Sequence, residues 1–89
     1  MRADLPGWDL IEQGLHDLAA GAETTASLLV SIGAPRLRQL GVDVPAAFPS
    51  SEHRLYGLLN RIDSDSAHSR YNALVRRLVS FERALACGR

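Results

Sequence analysis

Lysine is absent from this chain, cysteine and methionine occur once each, and the aromatic set is one Trp, two Tyr and two Phe. Each scarcity excludes something. The lone Cys87 cannot make a disulfide framework or a cysteine metal site within one chain. No apolar run reaches the length of a membrane span, and Met1–Asp4 does not open a signal peptide, so a cytoplasmic location with no membrane partner is expected. Net charge is missing too: ten basic and ten acidic residues cancel. That removes the long-range attraction on which non-specific nucleic-acid and membrane-surface binders depend, so nucleic acid is not an expected partner. Strand-like alternation, internal repeats and low-complexity segments are lacking. So are a phosphate loop, a dinucleotide fingerprint and a local nucleophile–base set, and no cofactor is expected.

What is present is enough for one core. Eighty-nine residues with a 46% hydrophobic fraction fit a single helical domain over residues 1–89, and argue against disorder. A core this small leaves useful area to bury by self-association, which favours a homodimer. The cancelled charge hides a gradient. Asp4, Asp9, Glu12, Asp17 and Glu23 meet no arginine between positions 3 and 35, whereas Arg70, Arg76, Arg77, Arg83 and Arg89 are opposed only by Glu82 after position 65. A basic set made wholly of arginine is expected of a GC-rich genome rather than of a chemical need.

The segment from Ser66 to Cys87 lacks Gly and Pro, and its apolar residues recur at helical spacing: Ala67, Tyr71, Leu74, Val75, Leu78, Phe81, Leu85. Burying that stripe would contribute roughly 10–20 kcal/mol gross, at about 1.5–3 per large residue. It is therefore the expected central helix, stopped by Gly88. Ahead of it, a first helix is predicted from near Pro6 to Ala20, with Asp4 as cap and Gly21 as stop. Trp8, Ile11, Leu15 and Leu18 form its stripe, and Gly14 in mid-helix points to close approach by another helix. A second helix, Glu23 to Ile32, should end at Gly33, and Pro35 should open a short third one to Leu40, stopped by Gly41. Gly41 to Pro49 reads as an extended link pinned by Val42, Val44 and Phe48. Ser50 or Ser51 should cap a fourth helix to about Arg61, with Leu55, Leu58, Leu59 and Ile62 inward. The fold class is all-α, a compact orthogonal bundle of four to five helices around a long C-terminal helix.

Few residues suggest chemistry. Asp63, Asp65 and His68 could begin a cation loop, but Ala67 and His68 stand where such a loop needs a Gly, and an Asp/Ser turn before a helix is expected to be a cap. No metal is expected. His16 and His53 read as solvated. Tyr71 falls on the central stripe with its hydroxyl at the rim, and Trp8 is either core or a partner anchor near the chain end. By helical angle, Arg70 and Arg77 flank the apolar stripe and can pair with the acidic first helix, while Arg76 and Arg83 point away from it.

Arg61 and His68 resemble the Arg-x4–6-His motif of the HEPN ribonucleases, helical proteins whose Arg and His, paired across a dimer, cut RNA. The resemblance implies that His68 would move protons and Arg61 would steady phosphate charge. It covers eight residues, and Ile62 stands where that family usually has a polar residue. The run from Ser66 to Leu74 is similar to small uncharacterised helical proteins of GC-rich bacteria, a likeness that implies a bacterial, soluble, helical protein and no activity. The expected function is a non-enzymatic protein-interaction or regulatory module. It would dock a protein partner through an apolar patch that includes Trp8 and is rimmed by Arg70, Arg76, Arg77 and Arg83. The alternative is a HEPN-like ribonuclease or nucleic-acid-binding regulator using Arg61, His68 and Arg70.

Overall fold

A computed structural model describes residues 4–87, and the expected stop at Gly88 and the terminal Arg89 lie outside them. Four helices account for most of that span: α1 Trp8–Ala19, α2 Thr25–Gln39, α3 Ser51–Ile62 and α4 Ala67–Cys87, the last being the longest. The protein is thus all-α, and each expected helix is present in some form.

α1 starts differently from expectation. Asp4 is not its cap. Gly7 holds the N-cap position in the left-handed region, φ 80°, with no side-chain cap. Its carbonyl accepts from Leu10 N–H at 3.1 Å and Ile11 N–H at 3.0 Å. A Cβ there would stand 3.3 Å from the Arg77 carbonyl of α4, so the residue is glycine for both backbone and space. The start of α1 is seated on α4 in this way. Trp8 then stacks on Phe81 with ring centroids 5.9 Å apart.

The second and third predicted helices are one. α2 runs through Gly33 and carries Pro35 in its interior. Proline has no N–H to give the Ser31 carbonyl four residues back, which costs about 3 kcal/mol in a typical helix interior. Tertiary packing overrides that penalty. Ala26, Ser27, Leu28, Leu29, Val30, Ser31, Gly33, Ala34 and Leu37 are all buried, so a break at Gly33 would pull apart a nearly continuous buried segment. A capping box between Thr24 and Ser27 starts the helix firmly: Ser27 N–H donates to Thr24 Oγ1 at 3.1 Å, and Thr24 N–H donates to Ser27 Oγ at 2.8 Å.

Glycine sets how closely the helices cross. A Cβ at Gly14 would collide with the Ala26 carbonyl oxygen and a Val30 methyl, so α1 and α2 meet backbone to backbone there, as the mid-helix glycine suggested. At Gly33 a Cβ would fall 2.8 Å from Leu78 Cδ1, which marks the α2–α4 crossing. α2 touches all three other helices. The long C-terminal helix is therefore present as expected, but the deepest burial belongs to α2. Of the seven apolar residues on the α4 stripe, Ala67, Leu78 and Phe81 are fully buried, and Tyr71, Leu74, Val75 and Leu85 are packed against the core while partly exposed.

The link after α2 is pinned as predicted, with Val42 and Val44 buried. The polar fastening was not anticipated. Arg38 Nη2 donates to the Val44 and Pro45 carbonyls at 3.2 and 2.9 Å, and Phe48 N–H donates to Ser31 Oγ at 3.1 Å. Ser31 in turn donates to the Ser27 carbonyl at 2.8 Å. α3 begins at Ser50, in the left-handed region at φ 52° and without the side-chain cap expected of it. Leu55 and Leu59 are buried, whereas Ile62 is 58% exposed, a correction to its expected inward position. It lies in the last turn of α3, where the chain leaves the helix for the turn to α4.

The chain closes on itself. Its radius of gyration, 12.5 Å, is close to the ~12 Å of a compact domain of this length. Its accessible surface, 5230 Å², is close to the ~5100 Å² of a folded monomer of this mass.

Candidate functional site

The four-residue turn between α3 and α4 makes the two helices a hairpin, and the candidate chemistry gathers on it. Asp63 builds the turn: its carboxylate accepts from Asp65 N–H at 3.2 Å and from the Ser66 hydroxyl at 2.9 Å. This is the turn role expected of an Asp/Ser stretch. Among the described residues, no group of three or more His, Cys, Asp or Glu is placed to hold a metal ion.

Tyr56 is the side chain that joins the hairpin's outer surface. It lies on α3 beside the buried Leu55 and is 40% exposed. Its ring meets His68 edge-on at 6.4 Å and Tyr71 at 5.7 Å with a 57° tilt. Both separations suit attractive edge-to-face geometry. Tyr71 keeps its phenol protonated above the ordinary range, first because burial penalises the anion and second because the Glu52 carboxylate repels it. His68 is exposed and lies 3.2 Å from the Asn72 amide nitrogen one turn along.

The remaining candidates do not converge on one patch. Arg61 closes α3 and Arg70 sits in the first turn of α4, both exposed at the same end of the hairpin. Two positions apart on a helix, His68 and Arg70 project about 160° from one another. Arg61, Arg70, Arg76 and Arg83 make no ion pair among the described residues. Arg77 pairs with Asp9 of α1 at 3.3 Å, the link to the acidic first helix that its flanking position predicted. Arg76 and Arg83 are exposed, in line with their outward angle. Trp8 is half-buried against Phe81, which takes up one face of its indole. His53 and His16 are both exposed.

No family model, curated protein or solved structure matches the chain. The chain is a small all-helical protein. Among the described residues, no helix is long and apolar enough to cross a membrane.

Among the described residues Tyr56 and Ile62 are the exposed large hydrophobics, and sequence reasoning named neither as a site. A signal existed for Tyr56. It lies off the Leu55–Leu59 stripe, about 80° from the middle of that stripe, so its ring had to sit at the edge of the helix's buried face. Ile62 continues the stripe, and only the position of the helix end reveals its exposure. Two further arginines were missed. Arg54 pairs with Glu23 at 3.4 Å and lies 5.9 Å from the centre of the Phe48 ring, while Arg38 holds the link; both act within the fold.

Proposed function

We propose that the chain is a non-enzymatic protein-interaction module whose partner docks at the α3–α4 hairpin. One observation carries this reading: among the described residues, the large apolar side chains left exposed, Tyr56 at 40% and Ile62 at 58%, both belong to α3. An aromatic ring already braced by two neighbours loses little freedom on binding, which makes Tyr56 a suitable anchor. Arg61 and Arg70, exposed and unpaired among the described residues, supply charge at the hairpin's turn end. Arg76 and Arg83 extend that charge along the outer face of α4, whereas Trp8 and Arg77 serve chiefly to join α1 to α4. A second copy of the chain is one partner this surface would accept. The arginine-only basic set and the likeness to small proteins of GC-rich bacteria support a bacterial source.

The test is cross-linking in cells of the source type with wild type and a Tyr56→Ser/Ile62→Ser double variant, alongside light scattering of the purified chain. The module reading expects a partner, or a dimer, that the double variant loses while its helical content is kept and it stays folded at the assay temperature. Equal cross-linking by both proteins would overturn it.

A second reading is favoured by the placement of Arg61 and His68 on either side of one tight turn: a HEPN-like ribonuclease or nucleic-acid-binding regulator that also uses Arg70. It expects RNA cleavage or salt-sensitive RNA binding that disappears in His68→Ala and Arg61→Ala with the fold intact. RNA left whole and unbound at low salt removes it.

A further inference from the structure

We draw no further inference here: the strongest candidate, the outward arginine ridge of α4 formed by Arg76 and Arg83, offers exposed charge alone, and nothing in the structure shows what covers it.

Discussion

Two glycines and two carboxylates show how single positions set the balance of this fold. At Gly14 the atoms a methyl would strike include a backbone oxygen, which cannot move without shifting α2. Gly14→Ala should therefore cost about 2 kcal/mol net, overpacking outweighing the ~1 kcal/mol that alanine brings to a helix. At Gly33 the obstacles are side-chain tips, the two Leu78 methyls and the Glu82 carboxylate, so Gly33→Ala should fall within about 1 kcal/mol of wild type. Urea unfolding of both variants checks the ordering, and equal losses would contradict it. The carboxylates act in opposite senses. Burial at the α2–α4 crossing raises Glu82 above its ordinary 4.5, with Arg36 offsetting part of the effect. A raised folded pKa means that stability falls as pH climbs from the unfolded to the folded value. Glu82→Gln should thus be more stable than wild type at pH 7 and lose that advantage below about pH 4. Asp17 is held below its ordinary 3.8, first by the Thr24 hydroxyl and next by the Gln13 amide. Its contribution is present above that value and is lost as pH falls through the folded pKa. NMR titration of the two carboxyls, with thermal melts from pH 3 to 8, reads both signs.

At the scale of helices, the uneven legibility of the chain has a physical cause. α1 and α4 each have one apolar side and one wet side, so their spacing patterns declare them. Gly14 declared a close crossing because a helix rarely keeps a glycine without steric need. From Ala26 to Ser31 every residue of α2 is buried, so that half has no wet side to set a period, and Gly33 and Pro35 after it read as stops. Local propensity was the wrong guide where burial supplied the larger energy. Ile62 misled in the opposite direction, since periodicity reports which face a residue is on and not whether a neighbour reaches that far. The candidate site was half legible: Arg61, His68 and Arg70 were marked, but Tyr56, which touches His68, was not. Pro35 gives a sharp test of this account. Because it is exposed and removes a donor to the Ser31 carbonyl, Pro35→Ala should stabilise by about 1–2 kcal/mol, the looser unfolded chain taking back part of the gain. Loss of stability instead would mean that the ring itself is needed in α2. Ser31→Ala should cost about 1–2 kcal/mol by leaving Phe48 N–H without its acceptor.

For the molecule as a whole, charge is segregated rather than absent. The acidic first third and the arginine-rich last helix meet at Asp9–Arg77, an exposed pair that contributes orientation more than energy. Phe81→Ala should show where the cohesion lies: that fully buried ring supports Trp8, and its removal should cost about 3–5 kcal/mol, against about 1–2 for Tyr56→Ser, whose half-covered ring packs on His68 and Tyr71.

The contact between Trp8 and Phe81 has one more consequence. It brings a ring near the beginning of the chain onto one near its end, and Trp8 is the sole indole. Its fluorescence is therefore a built-in gauge of ring closure, responding when the amino-terminal turn lifts from the carboxyl-terminal helix. Since both lean on the same enclosed α2, emission and far-ultraviolet circular dichroism should trace one superimposable melting curve. Two separate midpoints would reveal that the ends unclasp before the helices dissolve.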